Sequence, residues 1–335
     1  WDFENFKTFN ELFGTALGDR MLIAAAHCMN RLFANGGVYG RLGNDNFAFC
    51  LEEGEADVED IVESIADEIS SLLAQSNIDF TPSLVAGVNR IEDNDVEASV
   101  MLDHAMMARD TVKRDYDRHI AYYNSELTER MLEEQDILNN MEHALESGEF
   151  HVQLQPVYDV ATNLPVSAEA LVRWHRPGHG IVSPGIFVPL FEENGFISKM
   201  DHNIWEQVCQ ILASRRDRGL PEIPISVNLS RRSIFNASLF DEIVALVEKY
   251  DVDPKLFRIE VTESSYTETV DLIISMVKRL QDYGFTVLMD DFGSGYSSFN
   301  AFSDIPVNIL KADMVFMQNL ERNSRVASIF TSIVN

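Results

Sequence analysis

The sequence predicts an α/β protein in which a small α/β domain is joined by a helix to a β/α barrel. Three observations lead to this prediction. Strand-like and helical segments alternate over residues 1–124, a strongly charged segment follows over 125–148, and alternation resumes over 149–335 with a strand about every 30 residues. The length of 335 residues also agrees with two domains.

Residues 1–124 have the pattern of a small α/β domain that is incomplete at its start, because its first strand is cut short. Apolar residues at helical spacing predict helices over 17–34, 57–75 and 96–112. Strands are expected over 38–39, 47–51, 83–88 and 119–123. The first two strands flank a tight turn that contains Asn44, since Gly and Asn tolerate positive φ.

Residues 149–335 predict a parallel sheet of the TIM-like (β/α)8 type, lacking its last strands. The strands are expected over 150–155, 167–174, 223–229, 256–262, 286–289 and 307–310. The helices are expected over 199–216, 238–250, 267–283, 298–302 and 326–334. These six strands are fewer than the eight that close such a barrel. The connecting helix over 125–148 is polar enough to act as a spacer or hinge.

Composition excludes several functions. A net charge of −28 argues against non-specific binding to nucleic acid or to an anionic membrane, because both need a basic surface. The three cysteines are scattered and form neither a disulfide framework nor a zinc motif, which favours a reducing, cytoplasmic compartment. No apolar run is long enough for a membrane span, and no signal peptide is present. The chain opens on Trp1 inside a folded unit, so we expect further sequence upstream.

Polar side chains follow the predicted barrel strands where each one ends. They are Glu169 with Arg173, Asn228, Glu260, Asp290 with Asp291, and Lys311. The carboxyl ends of barrel strands meet at one mouth, and converging oxygen ligands suit Mg²⁺ or Mn²⁺. Two such ions could form a phosphodiesterase clamp. Taken singly, each residue could instead be a half-exposed strand residue, a helix cap or a solvated charge.

Several motifs in this domain resemble those of one family, in the family's order, over residues 142–335. They are Gln155-Pro156, Ala168–Trp174 (AEALVRW), Ser183-Pro184, Ser226–Ser230 (SVNLS), Ile259–Ser264 (IEVTES), Asp290–Ser298 (DDFGSGYSS) and Leu310–Asp313 (LKAD). The family is that of the EAL domains, bacterial cyclic-di-GMP phosphodiesterases. The resemblance implies hydrolysis of cyclic-di-GMP to linear pGpG at a site with two Mg²⁺ or Mn²⁺ ions, in a protein that is a homodimer.

The resemblance also implies a role for individual residues. The metal ligands would be Glu169, Asn228, Glu260, Asp290 and Asp291. Lys311 would act beside the attacking water, with Glu169 and Asp291 as further catalytic groups. Gln155 and Arg173 would contact the substrate, and Glu263 would anchor the loop over 291–298. The family has a further catalytic glutamate beyond the position of Asn335, so the segment alone is expected to lack it and to leave the barrel open.

The first domain resembles the GGDEF family of diguanylate cyclases, with departures at the active centre. Asp2–Lys7 resembles the family's metal-binding strand end, and Asn10 and Asp19 fall where the family binds the guanine of GTP. The hairpin residues Gly43, Asn44, Asp45, Asn46 and Phe47 replace the motif G-G-D-E-F. Asn44 adds a side chain where backbone approaches phosphate, and Asn46 lacks the charge of a metal-binding acid. By the same resemblance, Asp110 stands where the family has a phosphate-contacting lysine.

We therefore expect no diguanylate cyclase activity. The first domain would either bind GTP and regulate its neighbour or serve as a spacer and dimerisation surface. The leading hypothesis is a cyclic-di-GMP phosphodiesterase. The alternatives are a non-catalytic cyclic-di-GMP receptor that signals through the 125–148 helix, and a purely structural interaction protein, which would leave the row of carboxylates unexplained.

Overall fold

The computed structural model describes residues 1–34, 36–52, 54, 56–92, 96–113, 115, 118–262, 270–293 and 306–314. The chain forms two compact units, Trp1–Glu133 and Glu134–Asn335. The predicted helices over 298–302 and 326–334 lie outside the described residues, as does Glu263. Within the described ranges, every helix is too short or too polar to cross a lipid bilayer.

The first unit contains a three-stranded sheet and a separate hairpin. Its elements are β1 Asp2–Phe3, α1 Phe6–Phe13, α2 Thr15–Leu32, β2 Val38–Gly43, β3 Asn46–Cys50, α3 Val58–Gln75, β4 Leu84–Val88, α4 Ala98–Val112 and β5 Ile120–Tyr122. The sheet order is β1-β4-β5, and β2 pairs with β3. Asn44 has φ of 46°, as the expected turn requires. Helix α1 was not expected; its Phe9 is buried in the core of this unit.

Helix α5 (Ser125–Glu146) occupies the predicted connecting segment, and the boundary between the two units falls inside it. Its second half packs into the second unit. Ile137 and Ala144 are buried in a cluster with Phe187 and Phe191. Asp136 also forms an ion pair with Arg176, with 2.5 Å between Oδ2 and Nη1. These contacts make the C-terminal part of α5 an integral element of the second unit.

The second unit is a seven-stranded sheet covered by helices. Its remaining elements are β6 Phe150–Tyr158, β7 Pro165–Arg176, β8 Gly180–Val182, α6 Pro184–Asn194, α7 Ile197–Asp217, β9 Ile225–Leu229, α8 Arg231–Ile234, α9 Leu239–Lys249, β10 Phe257–Thr262, α10 Val270–Tyr283, β11 Thr286–Phe292 and β12 Ile309–Ala312. The strand order is β12-β11-β10-β9-β7-β6, with β8 paired to β7. Helices α6 and α8 and strand β8 were not expected.

The prediction of a parallel sheet is wrong for two strands, because β6 and β8 both run antiparallel to β7. Only residues 159–164 join β6 to β7. A parallel pair needs a crossover of a dozen or more residues, so this short connection permits only a hairpin. The pairs β7–β9, β9–β10, β10–β11 and β11–β12 are parallel as expected.

The register of the parallel strands has the stagger of a barrel. Asn228 lies two residues beyond the register partner of Glu169, and Glu260 is the direct partner of Asn228. Asp290 lies two residues beyond the partner of Glu260, and Lys311 lies opposite Asp290. Four residues over four strand-to-strand steps is one residue per step. An eight-stranded barrel of shear 8 advances at this rate. Residues on different rows of the sheet are thereby brought to one rim.

The two faces of the sheet have different surroundings. Val227, Ile259, Val261 and Val287 belong to the large apolar core. Side chains alternate along a strand, so the neighbouring positions point to the opposite face, inside the barrel. Asn228, Glu260 and Asp290 lie at these inner positions.

Candidate active site

A bulge places two acidic residues opposite one lysine. Met289 is paired with Leu310 and Phe292 with Ala312, so Asp290 and Asp291 together face Lys311. Asp291 has φ of 58°, a left-handed conformation that lets the chain turn at the strand end. Its backbone N–H donates to Asp290 Oδ1 at 2.9 Å. The bulge explains how adjacent aspartates, which would otherwise point to opposite faces, can both serve the mouth of the barrel.

Three carboxylates converge on the ammonium group of Lys311. Nζ lies 2.8 Å from Glu169 Oε2, 2.7 Å from Glu260 Oε2 and 3.0 Å from Asp290 Oδ2. One oxygen of each carboxylate lies within 4.8 Å of the others. The three acids come from three different strands, and Glu260 is only 2% exposed. Among the described residues, this is the group whose oxygens could jointly hold a metal ion.

Burial and pairing determine the charges in this cluster. Burial raises the pKa of Glu260, although its hydrogen bond with Lys311 acts in the opposite direction. For Lys311 the balance differs: burial would lower its pKa, but hydrogen bonds to Glu169, Glu260 and Asp290 outweigh burial and raise it. Burial and the neighbouring Asp290 raise the pKa of Asp291. The ammonium group therefore remains charged and compensates acids that would otherwise repel one another.

Asn228 lies at the edge of the cluster. Its side chain is exposed on β9, with Nδ2 located 3.5 Å from Glu169 Oε1. Its register partner on β10 is Glu260. The amide of Asn228 can thus supply a neutral oxygen beside two carboxylates.

Gln155 and Arg173 share the inner face of the β6–β7 hairpin with Glu169. Gln155 is paired directly with Glu169, and Arg173 lies four residues further along β7. Directly opposed residues of an antiparallel pair share a face, and so do residues an even number apart. Arg173 donates one hydrogen bond to the carbonyl of Val172 at 2.8 Å. Both side chains are placed where they could contact a ligand above Glu169.

The cyclase-like hairpin is tied to α4 by an ionic network. Asn46 accepts a hydrogen bond from Arg109, which also lies 3.3 Å from Asp2 Oδ2. Lys113 Nζ is 2.7 Å from the same Asp2 oxygen, and Arg109 Nη2 is 2.7 Å from Asp110. The buried Asp2 carboxylate is therefore neutralised from within the chain. Arg109 and Lys113 were not identified from the sequence; Arg109 lies in the last turn of α4 and Lys113 directly follows the helix, and no local pattern points to Asp2 as their partner.

The two residues proposed to contact guanine lie on the first two helices. Asp19 is exposed, whereas Asn10 Oδ1 is buried with no hydrogen-bond partner in the part of the chain that the structure describes. Gly18 permits this arrangement, since a Cβ there would stand 2.0 Å from Asn10 Oδ1. A cavity of about 1260 Å³ opens between the hairpin and α4, but neither Asn10 nor Asp19 lines it.

The fold and site define a β/α-barrel protein with three carboxylates around a lysine at its mouth, preceded by an α/β domain. The chain belongs to the EAL domain family, whose profile matches residues 138–335. Residues 1–118 match the profile of the diguanylate cyclase GGDEF domain, so the two domains occur in tandem.

Curated relatives are similar to this chain over almost its whole length. MucR of Pseudomonas aeruginosa, a bifunctional diguanylate cyclase/cyclic di-GMP phosphodiesterase, is 29% identical over 338 residues, covering 99% of this chain and 49% of MucR. PdeR of Escherichia coli, a cyclic di-GMP phosphodiesterase, is 25% identical over 334 residues, covering 99% of this chain and 50% of PdeR. The chain thus spans about half the length of these relatives.

Solved structures agree with the fold. The PaMucR phosphodiesterase in complex with c-di-GMP superposes with a TM-score of 0.55 and 31% identity, covering 59% of this chain and 81% of that one. The S helix-GGDEF-EAL part of Vibrio cholerae LapD covers 98% of this chain and 77% of its own, with a TM-score of 0.55 and 16% identity. The second likeness concerns the fold alone.

Proposed function

We propose that the EAL domain hydrolyses cyclic-di-GMP to linear pGpG with the help of Mg²⁺ or Mn²⁺. The observation that carries the proposal is the convergence of Glu169, Glu260 and Asp290 on Lys311 at the mouth of the barrel. MucR and PdeR, which are named as cyclic di-GMP phosphodiesterases, support the choice of substrate.

The donor set fits a hard divalent cation. All the converging atoms are carboxylate oxygens, and no described histidine or cysteine joins the group. The Lys311 ammonium already stands among them as an internal cation, so the position favours positive charge. Glu169, Asn228, Glu260 and Asp290 would hold the first ion, and Asp291 would help to hold a second. When bound, such ions supply activation of water and stabilisation of the leaving oxygen.

The side chains around the cluster have distinct roles in this proposal. Lys311 presents a positive charge at the mouth and can orient a water molecule or offset the charge of a phosphate. Arg173, on the same face as Glu169, can bind a phosphate through its planar guanidinium group. Gln155 can donate or accept a hydrogen bond beside it. Glu263 is proposed, by family resemblance alone, to anchor the loop over 291–298.

Incubation of the full-length protein with cyclic-di-GMP tests the proposal. We expect pGpG, detected by chromatography, in the presence of Mg²⁺ or Mn²⁺, and none after chelation or in Asp290→Ala. Asp253→Ala, which alters an aspartate at the start of a short helix outside the cluster, is the matched control and should retain turnover. Full turnover in Asp290→Ala would refute the proposal. Binding without turnover in the unaltered protein would instead favour a non-catalytic receptor.

The first domain is proposed to make no cyclic-di-GMP. Arg109 and Lys113 neutralise Asp2, and Asn46 bonds to Arg109 where an acidic residue would bind metal. We expect no cyclic-di-GMP from GTP and Mg²⁺ in an assay of full-length Asp290→Ala, a variant chosen so that hydrolysis does not hide the product. Asn46→Glu alone should not restore synthesis, because Asn44 still replaces a glycine. Measurable product from the Asp290→Ala protein would contradict this prediction.

Two further expectations rest on resemblance. Binding of GTP by the first domain and its role as a spacer both stay open, because Asn10 and Asp19 do not line the cavity beside the hairpin. Homodimerisation stays a prediction of the family resemblance.

A further inference from the structure

Helix α7 contacts the backbone of Asn228 and the segment that follows it. Trp205 Nε1 donates to the carbonyl oxygen of Asn228 at 3.2 Å. The carboxylate of Asp201 accepts from the backbone N–H of Ser230 at 3.3 Å and from the hydroxyl of Ser233 at 3.1 Å. Asp201 and Trp205 are one turn apart on α7 and therefore share a face. Both are buried, with exposed fractions of 7% and 2%.

These contacts occur where the sheet supports Asn228 least. The recorded ladder between β7 and β9 ends at Val227, one residue before Asn228, whereas the ladder with β10 continues to Leu229. Backbone groups beyond the end of a ladder need other partners. Helix α7 supplies them for the carbonyl of Asn228 and for the N–H of Ser230.

Burial of the Asp201 carboxylate costs free energy, because the ionised group loses its hydration. Burial raises its pKa to about 6, although hydrogen bonds with Ser230 and Ser233 oppose the change. A buried carboxylate is tolerated when hydrogen bonds compensate its lost hydration. An apolar side chain would suffice if this position only packed α7 against the sheet. The acid differs from such a side chain in its hydrogen bonds to the segment after Asn228.

We propose that Asp201 and Trp205 are positioning residues that hold Asn228 as a ligand of the divalent cation. Ligand groups must lie within about 0.5 Å of their productive position, and partners outside the ligand set normally maintain that geometry. Asn228 is exposed at the strand end, so its side chain is not packed into place. The position of its side chain therefore depends on its backbone, which the hydrogen bonds from α7 hold in place. The inference rests on the metal-dependent function proposed above.

Binding of Mn²⁺ to the full-length protein, measured by the electron paramagnetic resonance signal of the free ion, tests the inference without turnover. We expect Trp205→Phe and Asp201→Ala to weaken the tightest site about tenfold, the loss typical of outer partners of metal ligands. Asp201→Asn should retain near-normal affinity, because it still offers an acceptor. In turnover assays of Trp205→Phe and Asp201→Ala, the Mn²⁺ concentration that gives half-maximal turnover should rise. KM for cyclic-di-GMP at saturating Mn²⁺ should not change.

Trp174→Phe is the matched control. Trp174 is fully buried in the same unit, and its indole N–H also makes one hydrogen bond, to Glu149 at 2.8 Å. It should lose stability without losing Mn²⁺ affinity. Unchanged affinity in Trp205→Phe, or an equal loss in Trp174→Phe, would overturn the inference.

A double variant separates positioning from general loosening. Because Trp205 is proposed to act through Asn228, Trp205→Phe combined with Asn228→Ala should bind Mn²⁺ no more weakly than Asn228→Ala alone. An additive loss would contradict this route. Should Asp201→Ala not fold, Trp205→Phe and the double variant still decide the matter. The two proposals can also fail separately. If the unaltered protein hydrolyses no cyclic-di-GMP but Trp205→Phe still weakens Mn²⁺ binding, the phosphodiesterase proposal is refuted and the positioning inference is supported.

Discussion

Replacement of Lys311 by methionine is expected to lower the free energy of unfolding of the metal-free protein by about 3 kcal/mol, the loss found when one partner of a buried ion pair is removed. The lysine lies within 3.0 Å of three carboxylates, and its side chain is only 27% exposed. Without it, three acids face one another with no internal cation. Methionine preserves much of the volume, so lost packing contributes little.

The same variant should respond more strongly to divalent ions. A bound cation restores the missing positive charge, so Mn²⁺ should raise the melting temperature of Lys311→Met by more than that of the unaltered protein. The folded-state pKa of Lys311 is raised. Its stabilisation is therefore fully present below the ordinary lysine pKa and is lost only as pH rises through the folded-state value. Measurements near pH 7 thus capture the whole effect.

Lys249→Met is the control for this prediction. Lys249 also contacts a carboxylate, Glu206, at 2.6 Å, but its side chain is 59% exposed. Exposed pairs contribute about 0–1 kcal/mol, so this change should be small and insensitive to Mn²⁺. Equal effects of the two substitutions, measured by chemical denaturation with a chelator, would show that Lys311 has no special role.

Glu260→Gln should abolish measurable hydrolysis while leaving the metal-free fold at least as stable. Loss of an outer partner of a metal ligand already costs about 10–100-fold in affinity, so loss of a charged ligand should cost at least about 100-fold. Stability should not fall, because burial raises the pKa of Glu260 and its ionised form is costly in the folded state. Removing one of three like charges therefore relieves repulsion.

The measurements are cyclic-di-GMP turnover and thermal unfolding in chelator. Glu248→Gln is a suitable control, since Glu248 accepts a surface hydrogen bond from Tyr283 at 2.9 Å and lies outside the cluster. It should alter neither quantity appreciably. Parallel losses of activity and stability in Glu260→Gln would mean that the glutamate acts through the fold rather than through a metal.

The cluster itself could be predicted from the sequence because barrel strands end at one mouth. Glu169 and Glu260 lie within strand-like runs, Asp290 and Lys311 lie near the ends of theirs, and the structure brings all four together. The left-handed bulge at Asp291 was not predicted, since it depends on pairing with a strand many residues away. The antiparallel edge could have been anticipated from the shortness of the segment between β6 and β7.

Other features depend on contacts that no local pattern reveals. Arg109 reaches Asn46 and Asp2 across the first unit, and nothing near Arg109 in the sequence announces those partners. Likewise, Asp201 looks like an ordinary acidic position on an amphipathic helix, yet it is buried against the turn after β9. Helix α1 was overlooked because its eight residues are fewer than the about 11–18 over which helical periodicity is judged, although Phe6, Phe9 and Phe13 recur at helical spacing.

The average advance of one residue per strand among the site residues has a consequence for how this domain can diverge. Insertions in the connecting loops leave the geometry intact, so those loops can lengthen freely over evolutionary time. A single deletion inside a strand would instead rotate every later side chain of that strand from the lumen to the helix-covered surface. In β10 it would exchange Glu260 for an aliphatic neighbour, so selection on this site must act on spacing as strictly as on chemistry.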